Sequence, residues 1–439
     1  MFFFLVRIME PIQETHKASK FAPQDVISTM PDNVITSILH RLPLHDAVMT
    51  SILSRNWRFK WTMLSQLKFD VEFFMCLMNA DGEINSHGKI ISRLLLHLNG
   101  AVTKSVIIFT LLDVEDIHHL ILFLSRKGIK DLTIKDWSKT QVKLPTHLFS
   151  CLELEHLNIV GSCFNPPPSF HGFPNLLSLE LFSAQFGSSD LGEFLTRCPL
   201  LEILDLGYLS YTGSVKLVEI AKLQNLKILS LSLCHLEATT ITSLCDVLEL
   251  VGYLPKLQEL GLDFQDYKLT EGHAKKKFPT AFPSVKALKF TRIGLGNGTM
   301  LSCALEMMRH LPNLQTLEIT ATPYVCTDHT ACLIISYLYS FVFEYLSFLQ
   351  VDDPVPISIP IPILDVEYNM MELRTVVFRN FKGSENEVYL IKYFLACSPS
   401  LKKIVVHHDW CLGPGEQLIF AKMLLKLHRA SPVAEIDFN

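Results

Sequence analysis

Apolar side chains fall along this chain in two rhythms. Between residues 31 and 64 the spacing is helical: Val34, Ile35, Ile38, Leu39 and Leu42 recur behind Pro31, which fits a first helical turn, and Pro43 stops the run. A second short pattern holds Leu44, Ala47, Val48 and Ile52. A third, opened by Ser54 as an N-cap, carries Trp57, Trp61 and Leu64 on one face. Three helices this short cannot bury so much apolar surface among themselves, so a partner is expected to cover part of it. From about residue 126 the rhythm changes to L-x-x-L-x-L, preceded in most copies by Pro-x or Pro-x-x. Copies begin at Ile129, Leu154, Leu176, Leu201, Leu226, Leu257, Val285, Leu314, Leu373 and Leu401, and a degenerate one, Phe343/Leu346/Phe348, falls inside the double-length interval after Leu314.

Most starts lie 22 to 31 residues apart, which overlaps and slightly exceeds the period of roughly 20–29 of leucine-rich repeats. Each motif is too short for a helix and alternates like a strand, while the segments between carry helical signals. The best of these is the capping box Ser384-Glu385-Asn386-Glu387, followed by Val388, Ile391, Phe394 and Leu395 on one face. Alternating strands and helices stack as right-handed units: parallel strands on the concave wall of a solenoid, helices outside.

The segment 25–70 resembles the F-box. The matching residues are Asp25, Ile27, Ser28, Pro31, Asp32, Leu42, Pro43, Thr50, Ser51, Leu53, Ser54, Trp57, Arg58 and Trp61; Met30 replaces the usual leucine, Ile35 a leucine or valine, and Asn56 a basic residue. The resemblance implies docking to the Skp adaptor of a cullin-based ubiquitin ligase, through Met30, Pro31, Val34, Ile38, Leu42, Pro43, Leu53 and Trp57. Leu42 and Trp57 are the expected hot spots, while Leu39 and Trp61 are expected in the core. Residues near 366–410 resemble the FBD module that closes many plant F-box proteins with leucine-rich repeats, on Leu373, Val376, Phe378, Phe381, Gly383, Glu387, Phe394, Leu395, Pro399, Leu401 and Ile404. Physically this is a strand, a tight turn at Gly383, a capped helix and another strand.

The expected fold is therefore α/β: a small all-helical F-box module, then a leucine-rich-repeat solenoid. The expected divisions are a disordered tail at 1–22, the F-box at 23–70, a linker and first irregular repeat at 71–125, repeats at 126–365, and the FBD module with terminal repeats at 366–439. A chain of 439 residues suits a small module plus one long array.

Charge adds little. A net charge of −5 with 19% charged residues leaves no footprint for nucleic acid, and Lys275, Lys276 and Lys277 form the clearest basic run. Mean hydropathy is high at +0.28, yet no uncharged apolar stretch is long enough to predict a membrane span. The apolar run Phe2 to Val6 lacks a preceding positive region and is broken by Arg7 and Glu10, so no signal peptide is expected. Eleven cysteines without a C-x-x-C pair suit a reducing compartment, cytoplasm or nucleus.

No enzyme signature emerges. The glycines from Gly294 to Gly298 lack phosphate-loop spacing and read as a turn. His407, His408 and Asp409 sit where adjacent strand residues point to opposite faces, which disfavours a metal site. Neither cofactor nor metal is expected, and the chain is expected to be non-catalytic.

The residues between the repeat leucines should face the concavity. They make its middle acidic, through Glu180, Asp205, Glu259, Asp263 and Glu318, and its last turns basic, through Arg379, Lys403 and His407. A target protein carrying Lys or Arg is expected across the middle, with acidic or phosphorylated groups toward the carboxyl end. The function expected is a substrate-recognition subunit of a cullin ligase. The alternative is a repeat scaffold or ligand receptor with a vestigial F-box.

Overall fold

A proline at each helix entrance and short apolar stretches behind it shape the amino-terminal module. In the computed structural model, α1 (Asp32–Leu39) starts after Pro31, held at φ −59°, and α2 (Leu44–Met49) starts after Pro43 at φ −52°. Asp32 and Asp46 place carboxylates in the two first turns, where the helix dipole favours them. The third helix expected from Ser54 is absent. Residues 50–64 instead form turns and two 3₁₀ segments, Thr50–Ile52 and Lys60–Met63. Their amides bond three residues back: Trp57 N–H to Ser54 C=O, Lys60 to Trp57 and Leu64 to Trp61, at 3.1–3.2 Å. The tighter winding still buries Trp57, Trp61 and Leu64 with Ile35, Leu39, Leu44, Ala47 and Val48, each large side chain contributing about 1.5–3 kcal/mol. It also turns Ile52 outward, against the helical expectation.

The structure describes residues 29–81, 87–108, 112–136, 142–186, 191–207, 217–233, 244–264, 281–295, 298–321, 370–409 and 413–439. The tail at 1–22, the early F-box matches Asp25, Ile27 and Ser28, the lysine run and the degenerate Phe343 copy lie outside them. Two units divide the chain, 1–189 and 190–439.

In the first unit, β1 (Gln66–Phe69), β2 (Lys104–Ile108), β3 (Asp131–Lys135), β4 (His156–Val160) and β6 (Ser178–Phe182) pair in parallel in that order. Between β1 and β2 run α3 (Val71–Asp81) and α4 (His87–His97), and between β2 and β3 runs α5 (Val114–Ser125). The short strands β5 (Cys163–Phe164) and β7 (Gln185–Phe186) form a second ladder over a cluster of Phe149, Phe164, Phe170, Phe173 and Phe186, with neighbouring ring centroids 4.8–5.4 Å apart.

The second unit runs α6 (Leu191–Thr196), β8 (Ile203–Leu206), α7 (Leu217–Ile220), β9 (Ile228–Ser232), α8 (Leu244–Gly252), β10 (Glu259–Asp263), β11 (Ala287–Ile293), α9 (Gly298–Arg309) and β12 (Thr316–Ala321). It continues through β13 (Thr375–Phe381), α10 (Glu385–Cys397), β14 (Lys403–His408), α11 (Pro414–Leu425) and β15 (Glu435–Phe438). Its strands are parallel neighbours from β8 to β15. The fold is mixed α/β, a helical module followed by parallel strands in leucine-rich-repeat order.

All ten full copies of the motif lie on strands, and β1, β2 and β15 add three that it did not reveal. β1 (Leu64, Leu67, Phe69) falls within the helical rhythm. β2 carries Ser105 at the buried position that Leu67 and Leu132 fill next to it. The Ser105 hydroxyl has no hydrogen-bond partner.

Repeats lock together at the start of each strand. One carbonyl accepts two amides of the next unit: Lys227 C=O from Gln258 and Glu259, Lys286 C=O from Gln315 and Thr316, Arg374 C=O from Lys402 and Lys403, all at 2.8–3.1 Å. The asparagine directly before the first leucine also bridges units, since Asn175, Asn225 and Asn313 donate to the carbonyls of Leu152, Pro199 and Pro283. Two residues past the third apolar position, Gly161, Ser183, Arg292 and Asn380 all adopt left-handed φ of 51–78°. This kink, a register shift in β11 and β13, returns the next side chain to the core: Ala184, Ile293 and Phe381 are buried. The capping box at Ser384 forms as read, with Glu387 accepting from the Ser384 amide at 2.8 Å.

Candidate functional site

Two surfaces of the chain carry side chains free to meet a partner. The first is the outer face of the helical module. Val34 and Ile38 lie one turn apart on α1, 41% and 36% exposed, beside exposed Pro31; Leu53 is exposed, and Met30, Leu42 and Pro43 are half-buried. Trp57 is 3% exposed, so this expected hot spot belongs to the core, because the 3₁₀ winding after Ser54 turns its ring inward. Ile52, Phe59 and Met63, each more than half exposed, were missed by the sequence reading. A helical period assigned Ile52 to the buried face, and no regular spacing in the sequence singles out the three together.

Polar contacts tie segments of the module together. Lys60 Nζ meets Asp32 Oδ1 at 2.6 Å, Ser51 Oγ donates to Arg58 C=O at 2.8 Å, and His40 Nε2 lies 2.9 Å from Ser65 Oγ. Ser65 C=O in turn accepts the amides of Thr103 and Lys104 at the start of β2. A cavity of about 250 Å³ remains between module and β1, lined by Leu42, Pro43, His40, Gln66, Lys68 and Phe73 among others.

The second candidate is the outward strand side chains of each unit, Glu180 in the first and the rest in the second. Its acids are not bare. Glu180 accepts from Asn158 Nδ2 at 2.5 Å and from Ser178 Oγ at 3.4 Å, and Glu259 pairs with Lys289 at 2.5 Å. Asp263 pairs with Arg292 and Glu318 with Arg379. Toward the carboxyl end Lys403 meets Asp437 at 3.2 Å. Glu180 thus accepts from neutral groups, while Glu259, Asp263, Glu318 and Lys403 of the expected row sit in internal ion pairs. Each is formed because parallel register sets residues of adjacent repeats side by side or on a diagonal. Asp205 lies half-buried in the same row, in register with Ser230. Between the pairs stand half-buried Ile203, Ile228, Val377 and Val405, with Gly261, whose added Cβ would meet Ser230 Oγ at 2.8 Å.

Cys151 is buried and its thiol is pushed up to about 12 by desolvation, and Cys397 is raised for the same reason, so neither offers a thiolate. The buried Glu387 carboxyl is also raised by burial, against the amides and hydroxyl that hold it at the start of α10. Among the described residues no group of three His, Cys, Asp or Glu could hold a metal ion, and no helix is long and apolar enough to cross a membrane.

Comparison with known proteins matches three family models. The F-box domain covers residues 27–69, the repeats of the FBD-associated F-box protein At5g56370 cover 117–247, and the FBD covers 366–406. Among relatives from Arabidopsis thaliana, the F-box/FBD/LRR-repeat protein At1g13570 is 27% identical, over 94% of this chain and 98% of its own. The FBD-associated F-box protein At4g10400 is 28% identical over 68% of this chain and 78% of its own.

Proposed function

Because this chain is an F-box protein with leucine-rich repeats and an FBD, we propose that it is the substrate-recognition subunit of an SCF-type ubiquitin ligase. Its F-box docks a Skp adaptor joined to a cullin. The outward strand row receives a target protein, and partners carry out ubiquitin transfer, so this chain supplies no catalytic group. The observation that carries the reading is the set of apolar side chains that the helical module leaves exposed, Pro31, Val34, Ile38 and Leu53, with Ile52, Phe59 and Met63, while the module's own core is filled.

Target selection on the outward row follows from its pairing. Carboxylates held by Lys289, Arg292 and Arg379 present little net field, so the row selects by shape, by its valines and isoleucines, and by hydrogen bonds to the paired groups Glu180, Asp205, Glu259, Asp263, Glu318, Arg379 and Lys403. The test is co-purification of the full chain with a Skp adaptor and cullin, against a Val34→Glu, Ile38→Glu variant whose thermal unfolding is unchanged. Loss of the complex in the variant alone supports the reading. No complex with the native chain would leave a repeat scaffold that recruits no ligase.

A further inference from the structure

The last strand breaks the rule that every other strand of its unit obeys. From β8 to β14, the two inward residues of each motif are 3% exposed or less: Leu204 and Leu206 at one end, Ile404 and Val406 at the other. On β15 the same positions hold Ile436 and Phe438, and both are only half-buried. β15 pairs with β14 alone among the described strands. Glu435 N–H donates to Lys402 C=O, Asn439 N–H to Val406 C=O, and His408 N–H to Asn439 C=O, so the odd residues face β14. Alternation then points the backbone N–H and C=O of Ile436 and Phe438 to the open side. The α11 helix that packs on this strand leaves Leu418, Ile419 and Leu425 exposed. Among the described residues, the same two positions thus combine half-exposed apolar side chains with backbone groups that no neighbouring strand pairs.

We infer that this edge accepts an extended segment of the target protein as an added strand, with apolar residues at alternate positions over Ile436 and Phe438. Lys or Arg occupies the intervening outward position. The occupant must be a strand because a helix or loop cannot satisfy a row of in-plane amides and carbonyls. It carries cations because the outward row at this edge ends in exposed Glu435, while Asp437 is already shared with Lys403. The inference rests on the target-recruiting reading only for whose strand it is.

The experiment titrates the full chain with a fluorescein-labelled seven-residue peptide alternating valine and lysine, and with the same peptide N-methylated at every second amide. Saturable binding of the first, loss with the N-methylated peptide, and about tenfold weaker binding by Glu435→Lys at unchanged melting temperature are expected. No saturable binding by the native chain, or equal binding of the N-methylated peptide, would overturn the inference. So would a concentration-dependent dimer in light scattering that Glu435→Lys abolishes, because the edge would then belong to a second copy. Adaptor binding is measured on the same preparations. Peptide failure with adaptor binding intact fails this inference alone, and the reverse fails the ligase reading alone.

Discussion

The first strand of the first unit and the last strand of the second each stand at one end of their own unit's parallel series, and they are finished in opposite ways. β1 is backed by the helical module, with α2 packed on it and Ser65, Thr62 and His40 tying the module to the segment that leads into β2. Among the described strands β15 pairs with β14 alone, and its other side carries no strand. The difference teaches that a solenoid end can be closed by its own chain, which leaves only side chains for a partner, or left open, which offers backbone as well. The first gives recognition through apolar anchors, the second through strand addition.

The largest expected effect tests how firmly the first end is closed. Trp61 is buried where the module meets the chain before β2, its ring 6.3 Å from that of His97. Trp61→Ala should cost about 3–5 kcal/mol in denaturant unfolding and abolish adaptor binding with it. A loss under 1 kcal/mol would mean that the module does not close the end. Next, Val34→Glu with Ile38→Glu should weaken adaptor binding by about a hundredfold or more, without moving the melting temperature. A parallel fall in stability would place these side chains in the core.

Equivalent positions at the second end sharpen the contrast. Ile404→Ala should cost about 2–5 kcal/mol, and Ile436→Ala, in register with it on the open strand, under about 1.5 kcal/mol. Equal costs would show that β15 is covered. Ser105→Ala probes the closed end in the opposite direction. Its buried hydroxyl has no partner, so removing it should stabilise the protein by about 1 kcal/mol, read as a higher denaturation midpoint.

The smallest effect is in pH. The Asp437 carboxyl lies below its ordinary range because Lys403 and Asn439 hydrogen-bond it. Its contribution to folding is therefore present above the unfolded aspartate value and lost as pH falls through the lower folded one. Amide exchange in 435–438 should quicken in that acid range, and Lys403→Ala should remove the pH step. A step that survives Lys403→Ala would assign it to another group.

The leucine positions were legible because burial demands them: each strand read as a repeat copy holds its apolar residues in the core. What misled was local winding and neighbour register. The helical period read through Ile52 fails where 3₁₀ winding begins at Thr50, which leaves Ile52 outward, and Trp57, expected at the adaptor from the resemblance, lies in the core with Trp61 and Leu64. The outward charges were read one repeat at a time. Yet Glu318 meets Arg379 across 61 positions of sequence, a neighbour that only strand order reveals. β2 stayed hidden because Ser105 occupies a leucine's place.

The F-box match ends at residue 69, and β1 spans Gln66–Phe69. The module and the repeats therefore own one strand in common, which bears on modularity. A cut placed at residue 70 would carry the first rung away with the module and leave β2 as a raw edge. A graft that exchanges adaptor docking between such chains must splice before Ser65 and keep the host's own rung. The strand that ends the module is thus also the first rung of the repeats.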